Sequence, residues 1–359
     1  MPYLSLSSVN FRNLQNATID LLAKEVFFIG ENGQGKSNLL EALYYSAYGN
    51  SFRTRVENEL ITNGQKDFSL KALYKDAGGS VSTIFSMLKD GKKSIQKNGK
   101  KIHDRKELIN TIPTVLFCHD DLDFATGEPE RRRFFIDQSL SMYDALYIDV
   151  LRNYKKILKS RNVVLKEKNY GLLPVLNQQL ANNGVEIQKK RGDTVFQFNQ
   201  LFGDLYAQIT DIDGVRIHYS PSWKEAAPEC ALQTLLQKED MDKALGTTMS
   251  GPHRDRIFFV RDGRNFIPKA STGQRRLAAL ILRVAQALYY TRLTGKKPVL
   301  LMDDVMLELD PEKRQRFTAL LPEYEQLFCT FLPGEPYQCY KKSATKVYAI
   351  KNGVWNSDI

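Results

Sequence analysis

The sequence predicts an α/β fold, a mixed sheet with flanking helices assembled from both ends of the chain, with a helical lobe inserted between them. Three observations carry this. An apolar run, Val26 to Ile29, feeds the loop Gly30-Glu31-Asn32-Gly33-Gln34-Gly35-Lys36-Ser37 and then a helical pattern, the strand, loop and helix order of a phosphate-binding loop. A second apolar run, Pro298 to Met302, ends in the paired acids Asp303 and Asp304. Between them, from Phe135 to Ile209, apolar residues recur at helical spacing. Residues 1–122 and 246–359 are therefore expected to form one head, and 123–245 the lobe.

Taken in order, Tyr3 to Val9 alternates in strand fashion, and Ala17 to Leu22 gives a second short strand after the corner Phe11-Arg12-Asn13-Leu14. Both are expected to flank the strand that feeds the loop. Arg12 is a candidate contact to nucleotide phosphate or base, with a surface ion pair as the alternative. In the loop, Gly30, Gly33 and Gly35 let the backbone curl so that successive amides face phosphate oxygens, and the helix N-terminus adds partial positive charge. Glu31, Asn32 and Gln34 complete the cradle. Lys36 would reach the β- and γ-phosphates and Ser37 would hold Mg²⁺. The helix that follows puts Leu39, Leu43 and Tyr44 on one face.

From 68 to 103 the pattern is a β-meander, with hairpin turns at Gly78-Gly79, Asp90-Gly91 and Asn98-Gly99. Lys89, Lys92, Lys93, Lys97, Lys100 and Lys101 cluster at these turns, either as edge guards or as phosphate contacts. After the apolar strand Thr114 to Cys118 the character turns helical. One stripe joins Phe135, Tyr143, Tyr147, Val150, Tyr154, Leu158 and Leu165; a second runs from Leu173 to Ile209, after a break at Tyr170-Gly171-Leu172-Leu173-Pro174. Two long antiparallel helices are expected. Their outer faces are read as basic, through Arg152, Lys155, Lys156, Lys159, Arg161, Lys166 and Lys168 before the break and Lys189, Lys190 and Arg191 after it.

In the last third, Gly251-Pro252-His253-Arg254-Asp255 leads into a strand, and Ser271-Thr272-Gly273-Gln274 opens a helix. Such a loop can hold an anion, or serve only as a helix cap. Apolar strands seldom end in paired acids without a cation to hold. Asp303 is assigned to Mg²⁺ and Asp304 to the water that attacks phosphate, so Lys36 and Asp304 are the candidate catalytic residues. Asp310-Pro311 reads as a helix start.

Composition narrows the partners. The 359 residues carry a formal net charge of +10, which favours polyanions such as nucleic acid. The four cysteines form no C-x-x-C pair, so they are read as reduced thiols of a cytoplasmic protein. Met1 to Leu6 lacks the basic and apolar regions of a signal peptide, and no window approaches twenty apolar residues, so no membrane span is expected.

The block order, from the phosphate loop through Ser271-x-Gly273-Gln274 and Asp303-Asp304 to Leu309-Asp310, resembles an ABC-type ATPase head of the kind shared with SMC and Rad50 proteins. Further blocks are similar to the RecF family of bacterial DNA replication and repair proteins. They are Phe11-Arg12-Asn13, Asn38 to Ala42, Ser51-Phe52-Arg53-Thr54, Arg131 to Phe134, Ser250 to Asp255, and Asp303-Asp304 through Glu308-Leu309-Asp310. The resemblance covers almost the whole chain. It implies ATP with Mg²⁺, and an ATP-induced head-to-tail homodimer in which Ser271, Gly273 and Gln274 complete the site of the opposite copy. It also implies binding to double-stranded DNA or single-strand/double-strand junctions at gaps, slow hydrolysis, partners RecR and RecO, and help in loading the recombinase RecA. The sequence departs from relatives at Arg275-Arg276, at Met306, and in lacking an evident switch histidine after Gln326 to Thr330. The alternatives are an ABC transporter subunit, for which no glutamine loop or coupling surface is evident, and a P-loop small-molecule kinase, in which Ser271-x-Gly273-Gln274 would be idle.

Overall fold

The computed structural model describes residues 2–306 and 309–357, so Glu308 of the last quoted block lies outside the described residues. The chain divides into two compact units, 1–120 with 290–359, and 121–289. The second unit thus reaches past the boundary expected at 245/246 and takes in both Ser250 to Asp255 and Ser271 to Gln274.

The first stretch runs β1 (Tyr3–Val9), β2 (Ala17–Asp20), β3 (Glu25–Ile29), α1 (Lys36–Tyr48), β4 (Phe68–Lys75), β5 (Val81–Lys89), β6 (Lys92–Lys97), β7 (Lys100–Lys101), α2 (Lys106–Ile109) and β8 (Thr114–Phe117). The middle holds α3 (Leu122–Thr126), α4 (Pro129–Ser141), α5 (Ala145–Lys166), α6 (Leu173–Asn199), α7 (Phe202–Thr210), β9 (Arg216–Ser220), α8 (Pro228–Gln237), α9 (Glu239–Leu245), β10 (Arg256–Arg261), β11 (Arg264–Asn265) and α10 (Thr272–Thr294). The chain closes with β12 (Val299–Met302), α11 (Pro311–Ala319), β13 (Gln326–Phe331), β14 (Lys346–Lys351) and β15 (Val354–Asn356).

In the first unit two six-stranded sheets share one core. The order β15-β14-β3-β13-β12-β8 is parallel apart from β15, whereas β2-β1-β4-β5-β6-β7 is antiparallel throughout. The neighbours of β3 are therefore β13 and β14, and β1 and β2 belong to the other sheet, contrary to the sequence expectation. Alternation decided this: β1 buries one face only, as antiparallel strands do, while all five residues of β3 are buried. Helix α1 packs against strands of both sheets, which is why ten of its thirteen residues are buried and its apolar side is no single stripe. Leu6 and Tyr74 from one sheet join Phe28 and Phe328 from the other in this core. Gln326 stitches the sheets: its Oε1 accepts the Tyr3 N–H at 2.8 Å and its Nε2 donates to the carbonyls of Leu21 and Ala23 at 2.7 and 2.8 Å.

In the second unit the first stripe is broken into α4 and α5, because Asp144 caps a new helix by accepting the N–H groups of Leu146 and Tyr147. Helices α5 and α6 pack antiparallel. Arg161 meets Asn177 near one end and Lys190 meets Asp144 near the other. Two of the arginines read as an outward basic face are buried instead. Arg161 donates to Asn177, Asp242 and Thr248 at 2.7–2.8 Å. Arg191 pairs with Asp137 at 2.8 Å and Asp255 at 3.0 Å. A guanidinium so placed has exchanged water for fixed carboxylates and is a structural element. Arg152, Lys155, Lys156, Lys159, Lys166, Lys168 and Lys189 remain exposed. Among the described residues no helix is long and apolar enough to cross a membrane, and Cys118, Cys230, Cys329 and Cys339 are free thiols.

Candidate nucleotide site and the fold's relatives

The C-terminal ends of three adjacent parallel strands converge, where ligands of α/β sheets collect. After β3 comes the loop Gly30 to Ser37, after β12 the acids Asp303 and Asp304, and after β13, which lies between them, the segment Leu332 to Glu335. Gly33 and Gly35 take φ of +78° and +114°, values that a residue with a Cβ resists, and they turn the chain into α1. Gly30 N–H is tied to Phe331 O at 3.2 Å. Lys36 folds back over the loop and donates to the carbonyls of Gly30 and Glu31 at 2.8 and 3.1 Å. Its ammonium is thereby held in the loop. Glu31 and Asn32 are exposed at the rim.

Gln34 has a fixed place. Its carbonyl accepts the Gly353 N–H at 2.8 Å and its Oε1 the Asn352 N–H at 2.7 Å, so the β14–β15 turn braces the loop from outside. Asn13 supports the same region, accepting from Asn38 Nδ2 at 2.8 Å. Arg12 is committed elsewhere in this structure. It grips Glu41 through Nε and Nη2 at 2.8 and 2.9 Å and donates Nη1 to Glu59 O at 2.7 Å. Fully buried Glu41 also accepts Ser51 Oγ, whose oxygen in turn accepts the N–H groups of Arg53 and Thr54. The quoted block Ser51 to Thr54 is thus folded by the same carboxylate that holds Arg12. Arg53 Nη1 bonds Asn38 Oδ1 at 2.7 Å.

Ser37 Oγ donates to Asp303 Oδ1 at 2.8 Å, joining two residues 266 positions apart that the sequence assigns to one cation. Burial, with the adjacent Asp304 charge, pushes the Asp303 carboxyl up to about 6, against the opposing hydrogen bonds of Ser37 and Thr330 and the charge of Arg53. A buried carboxyl beside a hydroxyl and a second carboxylate is an oxygen set short of positive charge, the chemistry that a hard divalent cation satisfies. Asp304 turns the chain at φ +53°, its N–H donating to Thr330 Oγ1 at 2.8 Å and its Oδ1 lying 2.9 Å from the same hydroxyl. Thr330 and Glu335 were not singled out by sequence. Neither belongs to a motif, and only the strand order brings them here.

Ser271, Gly273 and Gln274 lie in the second unit. Ser271 Oγ accepts the Gln274 N–H at 3.2 Å and Gln274 Oε1 accepts the Ser271 N–H at 2.8 Å, a reciprocal capping box that opens α10. All three are exposed or half-buried, and a Cβ added at Gly273 would meet nothing within 4 Å. The Ser250 to Asp255 block is a buried hub. Asp255 accepts Gln188 Nε2 at 2.7 Å, Tyr219 OH at 2.6 Å and the Ser222 N–H at 2.8 Å besides Arg191. His253 accepts Tyr154 OH at Nδ1 (2.7 Å) and donates Nε2–H to Thr248 O (3.0 Å), and burial lowers its pKa to about 4.

Comparison with known proteins identifies the family and the fold. The RecF/RecN/SMC N-terminal domain family matches residues 4–356. The DNA replication and repair protein RecF of Treponema pallidum is 51% identical, over 97% of this chain and 99% of its own length. That of Leptospira interrogans is 33% identical over 97% of each. A solved structure of the recombination mediator protein RecF with ATP in the RecFOR pathway superposes with a TM-score of 0.90 at 28% identity, covering 100% of this chain and 98% of that one. An Smc head bound to the C-winged helix domain of ScpA shares the fold at a TM-score of 0.59 and 16% identity, covering 99% and 96%. With an ABC-type ATPase head and full-length similarity to these relatives, the chain belongs to the RecF family.

Proposed function

We propose that the chain is an ATP-dependent DNA-binding protein of replication and recombinational repair. ATP with Mg²⁺ would lie at the loop Gly30 to Ser37, with Lys36 on the β- and γ-phosphates and Ser37 and Asp303 holding the cation. The observation that carries this is the Ser37–Asp303 contact at 2.8 Å beside the folded-back Lys36. Mg²⁺ would supply charge neutralisation there; the chain's own residues bind and orient. Arg12, pinned to Glu41, would enter nucleotide contact only by exchanging that partner.

ATP would then draw two copies head to tail, with Ser271, Gly273 and Gln274 of each copy closing the nucleotide site of the other. Gly273 supports this reading. Its own surroundings do not demand a glycine, whereas close approach by a second molecule does. The dimer would hold double-stranded DNA or a single-strand/double-strand junction at a gap, hydrolyse ATP slowly, and help load the recombinase, with RecR and RecO as partners. The exposed basic residues of the α5–α6 pair in the second unit, and separately Lys89, Lys92, Lys100 and Lys101 of the meander in the first, are each candidate phosphate contacts. Lys93 and Lys97 are half-buried and bonded to Glu57 and Thr111. A cytoplasmic location fits these roles. The roles of the loop and the paired acids are tested together: Lys36→Ala should lose ATP affinity, and Asp304→Asn should keep it while turnover slows. Equal loss of ATP in both variants would contradict the assignment.

A further inference from the structure

Two of the RecF-like blocks, Arg131 to Phe134 and Ser250 to Asp255, take no part in the nucleotide site, yet the fold brings them to one cavity inside the second unit. Its volume is about 720 Å³, and three guanidiniums line it from three elements: Arg133 on α4, Arg254 at the end of the turn Pro252–Arg254, and Arg256 at the start of β10. The blocks are tied directly, Arg133 Nη1 donating to Asp255 O at 2.9 Å. Their buried members have structural tasks. Asp255 anchors Arg191, and a Cβ at Gly251 (φ +129°) would lie 2.6 Å from Tyr154 OH. The three arginines have no such task. Among the described residues none of them forms an ion pair, unlike Arg161, Arg191 and Arg283 of the same unit. Arg254 reaches Thr248 O at 3.3 and 3.4 Å and Met249 Sδ at 3.6 Å, and Arg256 makes no side-chain hydrogen bond among the described residues. Arg133 is half-buried. Burial disfavours its charge and neighbouring Arg191 does so further, which Asp255, Glu130 and Asp137 offset only in part. His253 lines the same cavity, but both of its ring nitrogens are taken, by Tyr154 and Thr248.

We propose, resting on the DNA-binding role above, that this cavity seats one backbone phosphate of the bound DNA. A half-buried guanidinium without a partner is costly, so the arrangement fits a bound state that brings the anion. Arginine suits that anion. Its planar fork donates two parallel N–H bonds to two oxygens of one phosphate, and forks from three separate elements can enclose it. Ser220 and Ser222 on the wall add hydroxyl donors; Ser222 Oγ accepts the Gly251 N–H at 3.0 Å, which leaves its own hydrogen to donate. Glu128 and Glu130 also line the cavity and are exposed. They repel an anion, so this is no general polyanion surface: a phosphate is held only where the three forks outweigh them. The exposed lysines of α5 and α6 can supply diffuse attraction, whereas a cavity of fixed donors sets the register of the DNA on this unit. A free phosphate ion offers the same oxygens, and the test separates the two sources.

The test uses the full chain with ATP and Mg²⁺ and three readouts: affinity for a labelled duplex across a salt series, ATP affinity, and thermal unfolding. The double variant Arg254→Gln/Arg256→Gln should keep its melting temperature and ATP affinity, bind the duplex about 10-fold more weakly or worse, and show a logarithmic salt slope shallower by about 0.9, the share of one phosphate. Arg254→Lys/Arg256→Lys keeps the charge but not the fork, and should still bind about 3-fold more weakly than the parent. Glu130→Gln removes a repelling charge and should bind about 2-fold more tightly or better. A Gln double variant within about 2-fold of the parent, with the same slope, overturns the proposal. So does a Lys double variant that binds like the parent, which would reduce the site to diffuse charge, or a Glu130→Gln variant that binds more weakly. Should the Gln double variant not fold, the Lys and Glu130 variants decide. Inorganic phosphate that stabilises the parent against unfolding but not the Gln double variant, with duplex affinity equal in both, would make this a site for free phosphate and overturn the DNA assignment. A parent chain that binds no DNA removes the wider functional reading as well. A parent that binds DNA alongside an unchanged Gln double variant removes only the cavity's role.

Discussion

Replacing Arg191 with Met tests whether the basic residues of the α5–α6 pair face DNA or hold the unit together. Arg191 has only 5% of its side chain exposed, and it bridges Asp137 and fully buried Asp255. Methionine would leave two carboxylates facing a cavity without counter-charge, which for buried pairs costs about 3–5 kcal/mol. Both retain neutral donors: Asp137 keeps Tyr147 OH at 2.6 Å, and Asp255 keeps Gln188, Tyr219 and the Ser222 N–H. The lower end of the range, about 3 kcal/mol, is therefore expected. For a unit of this size that corresponds to a fall of roughly 6–12 °C in the melting temperature. Thermal unfolding followed by circular dichroism measures it, with Lys156→Met, a change at an exposed lysine, expected to stay within about 0.5 kcal/mol. An Arg191→Met protein that melts within about 2 °C of the parent but has lost DNA affinity would refute the reasoning. It would place Arg191 on the DNA surface after all.

Three further outcomes are expected. His253 stays neutral in the fold down to about pH 4, held low by burial and by Arg254, Arg133 and Arg161 around it, whereas the unfolded chain protonates it near 6.5. Between these values the unfolded state binds more protons, so this contribution of about 3 kcal/mol is present above pH 6.5 and is lost as pH falls toward 4. Urea midpoints at pH 7.5 and 4.5 should therefore converge in His253→Gln relative to the parent, and an unchanged gap would contradict the buried neutral imidazole. Gly353→Ala would place a Cβ 1.7 Å from Asn13 O at a residue with φ +78°, so it should cost at least about 2 kcal/mol and loosen Gln34, weakening nucleotide binding in a titration. Ser271→Arg should leave ATP binding by the monomer intact and abolish the ATP-induced dimer seen by light scattering; dimers that persist would refute the head-to-tail arrangement.

Much of the head was legible because its chemistry is local. The loop Gly30 to Ser37, the apolar strand ending in Asp303 and Asp304, the hairpin turns with left-handed Asp90-Gly91 and Asn98-Gly99, and the Asp310 cap that accepts the Lys313 N–H all rest on short-range rules. The partition of strands was not legible. Neither β1 nor β2 neighbours β3, because sheet membership depends on pairing with β4, some sixty residues away. The same limit applies to charge. Arg161 and Arg191 resemble Lys156 in a helical pattern, yet Asp242 and Asp255 approach from distant elements and bury them. Arg12 is similar: Glu41 lies on α1, and only the folded corner shows that it takes the guanidinium in a two-point grip. Glu335 had no motif to mark it, and its place follows from β13 lying between β3 and β12.

An ATP-switched hold on DNA is tested by the affinity of the full chain for duplex and gapped DNA, with and without ATP and Mg²⁺, across a salt series, with the mass of each species recorded. A dimer that forms with ATP and binds DNA with it is expected, its affinity falling steeply with salt at a logarithmic slope of about −0.9 per phosphate contacted. ATP-dependent dimers with no salt-sensitive affinity for DNA would contradict the DNA-binding role, leaving an ABC-type head whose switch acts on something other than DNA.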